Sequence, residues 1–173
     1  MSSRLGHLWA GWRSAYISQA TAEAANRDAG PEACVLCSLI EPGHDDRERR
    51  VVWRGALVVA LLNAYPYTSG HLMVLPARHV GELEDLEPAE SAELWDGVRR
   101  AVVALKAAYH PGGVNLGANL GRAAGAGIPG HLHLHALPRW DGDTSFITSV
   151  AETRVLPESL DETWEKLRRA WPA

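Results

Sequence analysis

The sequence has no long hydrophobic run, no excess of basic charge and few cysteines. No apolar stretch approaches the ~20 residues that a membrane-spanning helix needs, so no membrane partner is expected. The start of the chain lacks the basic-then-apolar pattern of a signal peptide, and we therefore expect a cytoplasmic protein. A formal net charge of −4 argues against a nucleic-acid polymer as partner, although a local positive site for a small phosphate ligand is compatible with it.

The chain contains two cysteines, Cys34 and Cys37, in a C-x-x-C pair. In a reducing compartment such a pair is more often a metal or redox pair than a structural disulfide. One pair supplies only half of a tetrahedral zinc site. A redox motif would need a helix start of the thioredoxin type, which the local sequence does not indicate. Two reduced, partly buried thiols are the remaining interpretation.

The most informative stretch of the chain is His-Leu-His-Leu-His-Ala-Leu-Pro at residues 131–138. Its period of two predicts a β-strand, on which the three imidazoles share one face and the leucines enter the core. Pro138 cannot donate to a strand ladder and is expected to end the strand.

Three histidines on one face have three interpretations: a solvent-facing strand, a metal site and a catalytic site. The strict spacing disfavours an accidental solvent face. Adjacent strand positions seldom supply all the ligands of a tetrahedral metal without a distant fourth. Neutral imidazole is a nucleophile and general base near pH 7, so a central histidine with a positioning group on each side favours catalysis.

The segment before the histidines, residues 119–130, is a loop with four glycines. Such a loop lets backbone N–H groups approach a phosphate closely, although a plain flexible hairpin loop is the alternative. Gly125 to Gly130 spell G-x-G-x-x-G, but a dinucleotide-binding fingerprint requires a helix next, and here a strand follows.

Residues 131–137 resemble the signature of the histidine-triad (HIT) superfamily, His-φ-His-φ-His-φ-φ, where φ is apolar. The resemblance extends from about Cys34 to Asp143, and segments 119–125 and 138–143 are similar to an actinobacterial branch that includes diadenosine tetraphosphate (Ap4A) phosphorylases. It implies nucleotidyl transfer on dinucleoside polyphosphates, with Ap4A and phosphate giving ADP and ATP through a nucleotidyl-histidine intermediate. The implied partners are an adenine dinucleoside polyphosphate or adenylated small molecule, and phosphate.

The resemblance also implies roles for individual residues. His133 would be the nucleophile, His135 would bond a phosphate oxygen, and His71 and His131 would orient the nucleophile. Nucleotide and phosphate contacts would come from Asn63, Asn119, Gly127, Ile128 and Trp140. A structural zinc ion, held as in zinc-bearing relatives, would use Cys34, Cys37, His79 and His131.

Two features bear on the acceptor phosphate. The branch often has a serine near position 127, where this chain has glycine, so one hydroxyl donor is missing. Arg122 and Arg139 are candidates to bind phosphate, and the alternative is that they pair with acids such as Asp141 or Asp143. A HIT hydrolase of dinucleoside polyphosphates or adenylated amines, releasing AMP, is the second functional hypothesis. A non-catalytic nucleotide-binding scaffold is the third, and the intact triad argues against it.

The order of predicted elements indicates an α+β fold in a single domain of residues 1–173. Its core covers about 34–143, with an N-terminal helical extension over 1–33 and a C-terminal helix at about 157–171. The extension comprises a helix near 4–18 and a linker over 19–32. The predicted strands are 51–54, 56–62, 71–76, 114–120 and 131–138, with a long helix over 88–109 and a short extension at 144–150. The resemblance implies a five-stranded, mainly antiparallel sheet with the long helix packed on it, and a homodimer or higher homo-oligomer.

Overall fold

The computed structural model describes residues 30–143 and 156–173. The predicted helix near 4–18, most of the linker and the extension at 144–150 lie outside these ranges. The described elements are β1 (Val51–Arg54), β2 (Val58–Leu62), β3 (Leu72–Pro76), β4 (Gly113–Gly117), β5 (Leu134–Arg139), α1 (Val35–Ile40), α2 (Pro88–Tyr109) and α3 (Leu160–Ala170). The strand order is β1-β2-β3-β5-β4, and every neighbouring pair is antiparallel, which confirms the predicted α+β fold and five-stranded sheet.

The sheet has an apolar core on each face, because every residue of its central strands β2 and β3 is buried. On one face, β2 residues Val58 and Ala60 pack with Leu94 and Leu105 of α2. On the opposite face, their neighbours Val59 and Leu61 belong to a second cluster with residues of α1. The histidines project from this second face, because His135 lies opposite Met73, a member of that cluster.

Helix α2 has the predicted bounds and both of its ends are capped. It begins at Pro88, after a capping box formed by Glu87 and Glu90. The Glu87 side chain accepts the Glu90 backbone N–H, and the Glu90 side chain accepts the Glu87 backbone N–H. Glu90 also binds Arg78 at 2.7 Å, and this ion pair lowers the pKa of Glu90 to about 2. The helix ends at His110, which adopts a left-handed conformation with φ of 45°.

The C-terminal helix α3 is confirmed, with Ser159 as its N-cap. Leu167 is fully buried against the core that α2 shares. The Trp171 ring stacks on Trp53 with 5.7 Å between ring centroids, and the Trp164 indole N–H donates to the Val51 carbonyl at 2.9 Å. Among the described residues, no helix combines the length and apolar character required to cross a membrane.

The histidine strand differs from its prediction at both ends. It begins at Leu134 rather than His131, because its pairing with β3 ends where Leu134 lies opposite Val74, and the Leu132 N–H donates instead to the Val80 carbonyl at 2.6 Å. It also continues through Pro138 to Arg139. β3 pairs only as far as Ala136, so beyond it the strand has β4 alone as a neighbour, and a missing N–H is tolerated there.

Candidate active site and metal centre

His133 is held by the backbone just before it. It is 8% exposed, and its Nδ1 lies 2.8 Å from the backbone carbonyl of His131. A carbonyl can only accept a hydrogen bond, so Nδ1 carries the proton and donates it. In the neutral ring the lone pair is therefore on Nε2, the nitrogen that a nucleophile needs.

A second chain of hydrogen bonds fixes His71 and His135. The backbone N–H of Tyr67 donates to His71 Nδ1 at 3.1 Å, so the proton of His71 is on Nε2. That Nε2 lies 2.8 Å from His135 Nδ1 and donates to it, which leaves the His135 proton on Nε2. Burial, with a smaller contribution from His133, lowers the pKa of His135 to about 4, so its ring is neutral at pH 7.

The two sets of hydrogen bonds place an acceptor nitrogen on His133 and a donor nitrogen on His135 in the same site. The His133 and His135 ring centroids are 5.0 Å apart, and His135 and His71 are also separated by 5.0 Å. Asn63, at the end of β2, places its amide nitrogen 3.4 Å from both ring nitrogens of His71. A lone pair on His133 thus stands beside an N–H donor on His135, a pairing suited to nucleophilic attack with hydrogen bonding to a developing oxyanion.

His131, predicted to orient the nucleophile, contacts the His133 ring through its backbone carbonyl, while its side chain joins a different cluster. The ligand atoms of Cys34, Cys37, His79 and His131 all lie within 4.8 Å of one another. His131 Nδ1 is 3.5 Å from Cys34 Sγ and 3.4 Å from Cys37 Sγ, and His79 Nδ1 is 3.3 Å from Cys37 Sγ. Ligands about 2.0–2.3 Å from a tetrahedral zinc ion are separated by roughly 3.5 Å, so this spacing fits such an ion.

The hydrogen bonding of the cluster also fits a metal. His131 Nε2 donates to the Pro76 carbonyl at 2.9 Å, which directs the Nδ1 lone pair towards the sulfurs. Burial lowers the pKa of His131 to about 4, so the imidazole is in the neutral form that binds metals. The same effect, with the neighbouring Cys34, raises the pKa of Cys37 to about 11. Two thiols and two imidazoles are a common ligand set for structural zinc.

The expectation that no helix starts at the C-x-x-C pair is wrong. Cys34 is the N-cap of α1, and Cys37 lies within that helix. Pro31, three residues before Cys34, opens a short 3-10 turn, and the residue at the N-cap, Cys34, makes no side-chain capping hydrogen bond, so the sequence does not reveal so short a helix. The metal interpretation therefore rests on the convergence of His79 and His131 on the thiols, rather than on the absence of a helix start.

The residues of the glycine loop that were predicted to contact phosphate differ in exposure. Ile128 packs against the core cluster of the histidine face, and its carbonyl accepts the His131 N–H at 3.3 Å. Gly127 is exposed, and a Cβ there would meet no atom within 4 Å, so its backbone is open to a ligand. Asn119 is also exposed, with its amide nitrogen 3.5 Å from the Gly125 carbonyl.

Trp140 and Arg139 lie at the far end of the histidine strand. The Trp140 ring meets Tyr109 of α2 edge to face, with 6.1 Å between centroids, so it belongs to the helix side of the sheet. Arg139 shares the parity of the histidines, because strand pairing continues through Pro138. Its guanidinium donates to both carboxylate oxygens of Asp143 and to Asn115 Oδ1 at 2.8 Å. Each of its three nitrogens is therefore already bound within the chain.

Residues 45–142 match the HIT domain family, and the triad and its supporting histidine lie within them. The chain belongs to the HIT family. The predicted resemblance is thereby confirmed. A HIT relative, the AP-4-A phosphorylase of Mycobacterium tuberculosis (strain H37Rv), is 43% identical over 97% of this chain and 85% of its own length. The bis(5'-nucleosyl)-tetraphosphatase (asymmetrical) of Schizosaccharomyces pombe is 34% identical over 56% of this chain and 52% of its own.

A solved HIT structure is similar to this fold and carries zinc. The Zn-bound histidine triad family protein from Mycobacterium smegmatis is 29% identical, with a TM-score of 0.65. The alignment covers 82% of this chain and 94% of that protein.

Sequence reasoning on this HIT domain missed the groups that fix the tautomers. These are the backbone carbonyls of His131 and Pro76 and the backbone N–H of Tyr67. Backbone groups are present at every position, so no pattern of side chains identifies which of them face a histidine. The signal that was available is the aromatic ring of Tyr67, four residues before His71.

Proposed function

We propose that this chain is a nucleotidyltransferase that phosphorolyses dinucleoside polyphosphates, converting Ap4A and phosphate to ADP and ATP. The observation that carries the proposal is the pair of fixed tautomers, a lone pair on His133 Nε2 beside an N–H donor on His135 Nε2. The AP-4-A phosphorylase relative, 43% identical over 97% of this chain, supports the choice of substrate.

In the first step, His133 Nε2 attacks the α-phosphorus of Ap4A. A P–N bond forms, the bond from the α-phosphorus to the bridging oxygen breaks, and its electron pair leaves with ATP. His135 Nε2–H hydrogen-bonds a non-bridging oxygen or the departing oxygen, where negative charge develops. The His131 carbonyl supports the attacking ring, because it accepts a hydrogen bond from Nδ1–H and stabilises the positive charge that the imidazole gains.

In the second step, an oxygen of inorganic phosphate attacks the same phosphorus. The P–N bond breaks, its electron pair returns to His133 Nε2, and ADP is released. We assign the backbone N–H groups of Gly127 and Ile128 to the α-phosphate, and Asn119 to the side of the leaving and entering phosphates. The exposure of Gly127 and Asn119 supports these assignments.

We assign Asn63 to the ribose of the transferred nucleotide. Its position beside His71 supports this role, because it would place the sugar next to the reacting phosphate. Trp140 stays in the proposal as a wall for the second nucleoside. Its packing against Tyr109 puts it at the edge of the site, beyond the strand that carries the triad.

We further propose that Cys34, Cys37, His79 and His131 hold a structural zinc ion, supported by their tetrahedral spacing and by the Zn-bound HIT relative. Bound zinc would supply cross-linking of α1 to the segments that carry the two histidines. The His131 side chain would be a zinc ligand, and its carbonyl accepts the hydrogen bond of His133. The cluster would therefore fix the position of the carbonyl that orients His133. Elemental analysis of gently purified protein should find about one zinc per chain.

Product analysis on Ap4A, with and without inorganic phosphate, tests the proposed reaction. Formation of ADP and ATP in equal amounts, only when phosphate is present, is the expected result. AMP and ATP formed regardless of phosphate would indicate the hydrolase instead. AMP released from an adenylated amine but not from Ap4A would indicate a phosphoramidase, and binding without turnover would indicate a scaffold.

The proposal includes a homodimer, which the family resemblance implies. Sedimentation equilibrium should give twice the mass of the 173-residue chain. A monomer with full phosphorolytic activity would remove the dimer from the proposal and leave the chemistry unchanged.

A further inference from the structure

The turn between β2 and β3 exposes two aromatic rings at the mouth of the histidine site. Tyr65 is 86% exposed and Tyr67 is 49% exposed. Tyr65 follows Asn63 closely, and its N–H donates to the Asn63 side-chain oxygen at 3.0 Å. Scattered exposed aromatics need no explanation, but two on one short turn, next to catalytic side chains, indicate a surface that meets a ligand.

Tyr67 is the better placed of the two rings. Its centroid lies 4.6 Å from that of His71 and 6.1 Å from that of His135. Its backbone N–H is bound to His71 Nδ1 and its ring contacts the His71 ring, so both ends of the residue are held against the same histidine. One side of the ring packs on His71, and the half-exposed remainder faces solvent. The ring is therefore pre-organised, which reduces the entropy lost when a ligand packs on it.

In the proposed mechanism the leaving group departs beside His135, and the Tyr67 ring lies 6.1 Å from that histidine, on the side of His71 that carries its own ring contact. His135 offers its Nε2–H to the departing oxygen. Among the described residues, Tyr67 has ring contacts with both His71 and His135. A polyphosphate chain gains nothing from an aromatic face, whereas a nucleobase stacks on one. Trp140, by contrast, has its ring contact with Tyr109 on the helix side of the sheet.

We infer that Tyr67 provides a stacking surface for the base of the leaving nucleotide, so that the enzyme favours substrates whose leaving group carries a second nucleoside. This inference rests on the proposed function and deepens it. It assigns Tyr67 to substrate selection rather than to the bond-making step.

Two substrates that differ by one adenosine test the inference. Ap4A releases ATP as its leaving group, whereas adenosine 5'-tetraphosphate releases inorganic triphosphate from the same attack on the α-phosphorus. The quantity measured is the ratio of kcat/KM for Ap4A to kcat/KM for adenosine 5'-tetraphosphate, with phosphate as acceptor. The ratio cancels any effect of a variant on His71 or on the chemical step, because both substrates share them.

We expect the wild-type ratio to exceed one by about tenfold, the usual worth of one base stacked on an aromatic ring. Tyr67→Leu and Tyr67→Gln should both bring it close to one, and Tyr67→Phe should retain it. Trp95→Leu is the matched control, since Trp95 is 55% exposed on α2, away from the histidine face.

The inference is overturned if the wild type does not discriminate between the two substrates, or if both non-aromatic variants keep the wild-type ratio. It is also overturned if Trp140→Leu removes the discrimination while Tyr67→Leu does not. Failure of the wild type to phosphorolyse either substrate would refute the proposed function instead, and the two failures are therefore distinguishable.

Discussion

His131 and His135 lie four residues apart in one alternating segment, yet their surroundings differ. His131 is fully buried, its ring lies against two thiols, and its Nε2 is bound to the Pro76 carbonyl. His135 is partly exposed and is bound to His71, beside the turn that carries Tyr67. The proposed metal end of the motif is thus closed to solvent, and the proposed catalytic end is open to a ligand. His133 stands between them, bound to the His131 carbonyl and with its ring 5.0 Å from that of His135.

The largest effect should come from removing the residue between the two ends. His133→Ala should lower kcat by more than about 10⁴-fold, because the loss of a covalent nucleophile removes the chemical step. Nucleotide binding should persist, and calorimetric titration with a non-hydrolysable Ap4A analogue checks it. Retention of more than about a hundredth of the wild-type rate, typical of losing only an acid–base helper, would show that His133 is not the nucleophile.

At the catalytic end, His71→Phe should lower kcat by about 10–100-fold, the usual cost of losing a supporting hydrogen bond to a functional histidine. Without the His71 donor, the His135 ring is no longer restricted to the tautomer with its proton on Nε2. Steady-state kinetics on Ap4A measure the effect, and His44→Ala, an exposed histidine bound to Glu41, is the control. An unchanged kcat in a folded His71→Phe variant would contradict the proposed support.

At the metal end, Cys37→Ser should abolish stoichiometric zinc and lower Tm by about 5–10 °C, because metal binding contributes to folding free energy. Inductively coupled plasma analysis and thermal unfolding, with and without chelator, measure both changes. Ser38→Ala, the next residue of α1, should keep its metal. A wild-type protein that contains no zinc after gentle purification would remove the metal centre from this account and leave the catalytic assignments standing.

The pH dependence of stability should report the buried His135. Its folded-state pKa is lowered from 6.5 to about 4, so between these values the unfolded chain binds more protons than the folded one. The free energy of unfolding should therefore fall as the pH drops from 6.5 towards 4. Urea unfolding at several pH values should show a shallower fall for His135→Asn than for the wild type, and an identical slope would contradict this origin.

The smallest effect concerns the segment that leads to His79. Glu90 binds Arg78, the residue before this predicted ligand, and Glu90→Gln should cost about 1 kcal/mol at neutral pH. The pKa of Glu90 is lowered from 4.5 to about 2, so this contribution is present above 4.5 and is lost as the pH falls towards 2. Denaturant midpoints at neutral and acid pH measure it, and a difference that persists at low pH would argue against the ion pair.

The sequence predicted regular elements well where one side-chain period is sustained. Helix α2 has the predicted bounds, because burial on one stripe imposes the helical period. Strand β2 is buried along its whole length and was predicted from its continuous apolar run. Strand β4 ends at Gly117 rather than at the predicted Leu120. The predicted start of β5 was wrong, since alternation continues through His131 and Leu132 although the pairing with β3 stops at Leu134. Periodicity records which side is buried and carries no information on which neighbour is paired.

The site was predictable as a set of side chains and not as a set of contacts. Cys34 and His131 are 97 positions apart, and only the family resemblance placed them together. The backbone groups that decide each tautomer could not be predicted from the sequence, because nearly every residue carries the same N–H and C=O. Arg139 shows the converse, since its pairing with Asp143 was named from the sequence alone as the alternative to phosphate binding.

The hydrogen bond from His133 Nδ1 to the His131 carbonyl has a spectroscopic consequence. At 2.8 Å and buried, that ring proton is shielded from exchange with solvent and should give a resolved downfield imidazole resonance in the ¹H NMR spectrum. The resonance belongs to His133, the proposed nucleophile, but the carbonyl that accepts its hydrogen bond belongs to His131, whose side chain lies among the thiols. A single line would thus follow, in one protein, both the alignment of the nucleophile and the integrity of the cluster behind it.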